Sequence, residues 1–190
     1  MKHIKRLFRQ SKWKRVFAEN TVVEHDKFFY KTPSIVGKKL FHDTSCPYDN
    51  NRESYELIRE KFGKDFHVAV TEILQDKEYG VIIKQEKISG SILSKKDLLN
   101  TNIQKDLVHL LDINKKLWKE RGLFLDILGT DCLYKPFHLH NLMLHQNSLV
   151  LFDFGLLNKN ASNVFFRFFS HLFFHVQCFW IEKIILPKQK

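Results

Sequence analysis

An amide and a carboxylate, Asn141 and Asp153, stand at the two ends of a stretch that reads as a β-hairpin. Two apolar runs, Leu142–Leu144 and Leu149–Phe152, flank His145, Gln146, Asn147 and Ser148, and strand-length runs about a polar turn pair with each other. Asn141 enters the first strand and Asp153 leaves the second, so pairing brings an amide oxygen and a carboxylate to one point. Hard divalent cations take oxygen ligands of this kind and often keep phosphates as their remaining partners. Gly155, just past the carboxylate, is read as the residue that lets the backbone turn sharply there.

The elements that must position these residues follow from hydrophobic spacing. Ile103–Arg121 is an amphipathic helix with Leu107, Leu110, Leu111, Asn114 and Trp118 along one face, and Gly122 ends it. A short apolar run, Leu123–Leu125, then leads to Asp126. Further upstream, Thr21–Pro33 reads as a hairpin turning at His25, Asp26 and Lys27, with Lys31 near the end of its second strand. Asp49, Asn50 and Asn51 offer a cap for a helix from Arg52 to Phe62, which Gly63 terminates and whose Tyr55, Ile58 and Phe62 share a face. Strand-like runs Phe66–Leu74 and Tyr79–Gln85 flank the turn at Gln75–Glu78. Glu86–Gly90 is a polar joint ending in glycine, and Ser94 is placed to cap a short helix through Leu99.

The tripeptide Asp153-Phe154-Gly155, the preceding Asn141, the hairpin between them and the order strand, strand, helix, strand, strand upstream resemble the protein-kinase-like superfamily. The resemblance implies an α+β, bilobal fold with a small β-rich N-lobe and a truncated helical C-lobe. It divides the chain into a basic segment 1–20, an N-lobe 21–86, a reduced C-lobe 87–160 and a Phe-rich helix 161–190. It implies a phosphotransferase using ATP and Mg²⁺, in which Asn141 and Asp153 hold the metal. Lys31 then contacts nucleotide phosphates, Glu53 pairs with Lys31 (Glu56 is the runner-up), and Asp126 is the catalytic base. Asp131 is the alternative base. Gly129, Thr130, Lys135 and His138 are weak candidates for lining an acceptor site.

The pattern also departs from the family. No glycine-rich loop precedes Lys31, neither aspartate lies in a His-Arg-Asp sequence, and Pro136 stands at the usual distance before Asn141. Divergent loops of this kind resemble the small bacterial lipopolysaccharide-core kinases and similar sugar or lipid kinases. With no peptide-docking segment present, the implied acceptor is a small-molecule, sugar or lipid-linked hydroxyl. The alternative left open is an inactive pseudokinase that binds a partner or a membrane.

Composition bounds the rest. The chain has 190 residues, 44% of them hydrophobic, so it can bury a core as one domain or one bilobal unit. Its net charge is +10, and seven basic residues precede the first acid, Glu19. An anionic membrane surface is therefore a candidate partner. A nucleic acid is not the expected one, since the basic head lacks interleaved aromatics on a recognisable module. Three scattered cysteines and a basic start without a following apolar segment point to a reducing, cytoplasmic location, peripheral attachment at the inner membrane face being compatible with it. Residues 3–17 read as a basic helix whose Ile4, Leu7 and Phe8 oppose Trp13, Val16 and Phe17, so the helix either breaks near Ser11 or packs with a solvated basic side. Asn163–Leu186 reads as one aromatic helix, for which a core role, an interfacial role and a membrane span remain open. His171 and His175 have zinc-like spacing there, but they and His138 and His140 are read as ordinary histidines.

Overall fold

The computed structural model describes residues 1–11, 20–33, 47–94, 96–128, 139–161 and 163–186. The fold is mixed α+β with several sheets, and the chain forms two compact units, 1–57 with 69–87 and 58–68 with 88–190.

In the first unit, α1 (Lys2–Ser11) precedes β1 (Asn20–His25) and β2 (Phe28–Pro33), joined by a tight turn in which Asp26 takes φ 51°. With β4 (Thr71–Asp76) and β5 (Gly80–Glu86) these strands form an antiparallel sheet in the order β1-β2-β5-β4. Ile4 and Phe8 of α1 are buried against Val23, Tyr79 and Ile82, with Leu7 beside them. The opposite side of α1 keeps its cations at the surface, where Lys5 meets Asp76 at 2.7 Å and Arg9 donates to both carboxylate oxygens of Glu78 at 3.2 and 3.1 Å. The basic head is thus a packed helix ending at Ser11; Trp13, Val16 and Phe17 lie outside the described residues.

Helix α2 (Pro47–Phe62) begins earlier than its Asp-Asn-Asn stretch suggests, because Pro47 takes the first helical position, where a missing N–H costs nothing. Residues 47–57 of α2 count with the first unit and 58–62 with the second. Tyr55 is buried, and its hydroxyl accepts from Thr71 N at 2.8 Å. The expected strand Phe66–Leu74 divides in two. β3 (His67–Val68) pairs parallel with a strand of the second unit, whereas β4 belongs to the first sheet, with Ala69 and Val70 between them.

The second unit holds β6 (Ser91–Leu93), a short 3₁₀ turn Asp97–Leu99, α3 (Thr101–Arg121), β7 (Leu123–Leu125), β8 (Leu139–His145), β9 (Ser148–Leu151), β10 (Leu156–Asn158) and α4 (Val164–Trp180), which runs on into one π-helical turn at Ile181–Ile185. One sheet has the order β3-β9-β8-β6; β10 and β7 form a separate antiparallel pair. Helix α3 is capped by Asn100, whose side chain accepts from Asn102 N at 2.9 Å. It ends at Gly122 with φ 70°, a left-handed conformation that glycine adopts without strain. Ile103, Leu107, Leu110, Leu111 and Leu117 are buried along its inner face.

Candidate active site

Three strand ends of the second unit meet around Asp126, Asn141 and Asp153. The hairpin is tighter than the apolar runs imply. Gln146 and Asn147 alone make the turn, both with positive φ (49° and 62°), and His145 pairs directly with Ser148. Two consecutive left-handed residues suit the twist of a two-residue hairpin. The longer strand places Asn141 inside β8 rather than at its entrance. Register carries the pairing outward from Leu142 opposite Leu151, and Phe152 N donates to Asn141 O at 3.3 Å. The residue beside Asp153 is therefore bonded to the backbone of Asn141.

A second set of bonds brings in Asp126. β7 and β10 pair with Leu125 opposite Leu156, and Asp126 N donates to Gly155 O at 3.1 Å. The Asn141 side chain closes the group: its Nδ2 donates to Asp126 O at 2.8 Å. Asp153 Oδ1 accepts from Phe154 N at 2.9 Å, which fixes the carboxylate's rotation, and Phe154 itself is buried. Asp126, Asn141 and the Asp-Phe-Gly segment are thus linked by named bonds, and all three polar side chains are half-buried.

The donor set suits a hard cation. Asn141 commits its NH₂ to a carbonyl, so the polar atom left to that side chain is its oxygen, and Asp153 adds a carboxylate. Among the described residues no group of three His, Cys, Asp or Glu side chains converges as a metal site, so the remaining ligands of such a cation would come from elsewhere. Gly155 departs from its expected role. It has no positive φ, and a side-chain carbon added there meets nothing within 4 Å, so the backbone turn does not require glycine.

Lys31 and Glu53 belong to the first unit. Lys31 is buried in β2, across from Val22 on one side and Ile83 on the other. Glu53 is exposed on α2, and no ion pair of it is found among the described residues; the runner-up Glu56, also exposed, pairs with Arg52 at 3.8 Å. Asp131, Gly129, Thr130, Lys135, Pro136 and His138 lie outside the described residues, as does the side chain of His140.

No protein-family model matches the chain, and no curated protein matches it.

Two carboxamides with no part in the sequence reading of the site hold the strand that leads into Asp126. Asn114 on α3 donates from Nδ2 to Leu125 O at 2.8 Å and accepts from Leu125 N at 2.7 Å. Gln177 on α4 donates to Leu125 O at 3.0 Å and accepts from Ile127 N at 2.9 Å. Both are fully buried. The signal for Asn114 was visible as a lone amide among leucines on the inner face of α3. Gln177 lies fifty residues from Ile127, and nothing local marks it.

Around them the helices interlock through rings. Trp118 stacks on Phe174 at 4.5 Å and meets Phe124 and His171 edge-on at 5.6 and 5.0 Å. His171 and His175 are both exposed.

Proposed function

We propose that this chain is an ATP- and Mg²⁺-dependent phosphotransferase of bilobal, protein-kinase-like fold, acting on the hydroxyl of a small-molecule, sugar or lipid-linked acceptor. The observation that carries this reading is the Asn141 side chain donating to Asp126 O while Asp126 N donates to Gly155 O. Those two bonds join, in one place, the three segments that phosphoryl transfer in such folds depends on. In this reading Asn141 and Asp153 would hold Mg²⁺, which supplies neutralisation of the charge on the transferred phosphoryl group.

The residues' own work is then distinct. Asp126 accepts the proton of the acceptor hydroxyl, with its main chain held on both sides by Asn114 and Gln177. Asn141 keeps its oxygen turned from the carbonyl that its NH₂ binds, and Asp153 holds one rotamer through Phe154 N. Lys31 contacts phosphate. Glu53, exposed on α2, is the candidate to orient Lys31.

The test is thermal unfolding with and without Mg-ATP, followed by phosphate transfer to a panel of hydroxyl acceptors. The expected result is a rise in Tm with Mg-ATP that Asp153→Ala removes while its Tm without nucleotide stays near wild type. Turnover surviving in Asp153→Ala would refute the metal assignment. The missing glycine-rich loop before Lys31 favours a second reading, a non-catalytic module that binds a partner or membrane. It is distinguished by the absence of any nucleotide effect on Tm.

A further inference from the structure

Helix α4 has two apolar faces, and among the described residues only one of them is covered. Ser170, Phe174, Gln177 and Ile181 are buried, and Gln177 ties that face to β7. On the other side Phe165, Phe168, Leu172, Val176 and Phe179 are exposed, the three Phe by 70%, 67% and 58%. Steps of three and four residues align these five on one face, which runs for about 21 Å at 1.5 Å per residue. A contiguous apolar stripe of this size on a folded surface marks an interaction site rather than scattered exposure.

Charge selects the occupant. From Lys159 to Lys190 the sequence carries Lys159, Arg167, Lys183, Lys188 and Lys190 against the single acid Glu182. That acid is already paired with Lys115 on α3. A second copy docked on this face would bring two net-basic segments together, whereas an anionic surface attracts them. Half-exposed Trp180 suits the headgroup level, where indoles concentrate.

A crossing is disfavoured by the covered face. Val164–Lys183 is long and apolar enough to span a bilayer, with mean hydropathy 1.3. Spanning would pull Gln177 off β7 and leave Ile127 N and a glutamine side chain without their hydrogen bonds, a cost hydrocarbon cannot offset.

We propose that α4 docks on an anionic lipid bilayer, its Phe165–Phe179 stripe entering the boundary between headgroups and acyl chains while Gln177 stays bound to β7. The proposal is independent of the phosphotransferase reading, since its probe is lipid alone. The test is flotation of the full chain with vesicles of phosphatidylcholine, with and without phosphatidylglycerol. Wild type is expected to float at least about tenfold more with the anionic vesicles. The Phe168→Ser/Phe179→Ser variant is expected to lose at least about tenfold of that binding, at unchanged circular dichroism and Tm, since both rings are already in water. Equal flotation of variant and wild type would overturn the proposal, as would indifference to phosphatidylglycerol. A mass that doubles with concentration, reverts in the variant and comes without vesicle binding would assign the stripe to a second copy instead. Retention in the vesicles through alkaline extraction would assign it to a span.

Discussion

Asn114 and Gln177 close four hydrogen bonds on the backbone to either side of Asp126. Replacing Gln177 with leucine keeps most of the volume but strands Ile127 N in a place without water. The expected loss is about 1–3 kcal/mol of unfolding free energy, read from urea denaturation at unchanged slope. Two glycines give a matched contrast. At Gly122 the left-handed φ and the Lys159 side chain, 2.6 Å from an added carbon, both oppose a side chain, so Gly122→Ala should cost about 1 kcal/mol or more. Gly155→Ala meets open space and should leave Tm within a degree or two of wild type, that is within about 0.5 kcal/mol. The β8–β9 hairpin that neighbours Asn141 and Asp153 was legible in the sequence, because two strand-length apolar runs flank a polar turn. Gln177 was not, because periodicity assigns a residue to a helix face and is silent on what that face covers. Gly155 was misjudged because residue type alone does not reveal φ.

At the scale of elements, α1 is held by apolar burial inside and ion pairs outside. Burial pushes the Asp76 carboxyl up, but the Lys5 ammonium and the backbone N–H groups of Glu78 and Tyr79 outweigh it and hold it below its usual range. The Arg9 guanidinium likewise holds Glu78 down. Carboxyls depressed in the folded state contribute stability above their unfolded values, near 4, and lose it as pH falls through the lower folded ones. Wild type should therefore be more stable than Asp76→Asn/Glu78→Gln at pH 7, and the gap in Tm should close as pH drops below about 4. The gap itself should be modest, because these pairs face solvent. Against it stands the ring stack: Phe174→Ala removes the partner of Trp118 and Phe124 and should cost about 3–5 kcal/mol by the same urea measurement. Helices α3 and α4 were readable to within a few residues from their spacing, α3 also from the glycine that ends it. The run Phe66–Leu74 was not, since nothing in a β-rich stretch says that two of its residues will pair parallel with β9 while Thr71–Leu74 join another sheet.

Over the whole molecule the composition constrained little beyond a foldable, basic chain of net charge +10. The path of the chain through its two units carries a further consequence. The backbone changes unit after Leu57, again after Val68 and again after Lys87. A fragment ending at Lys87 would keep Ile58, Phe62 and Phe66, which are buried with the second unit, and would lose β9, the strand that β3 needs. Neither piece can be excised by one cut and fold as it does in the intact chain. An evolutionary ancestor of either half, or a laboratory attempt to graft one onto another scaffold, must therefore supply a substitute for the eleven residues lent across the boundary.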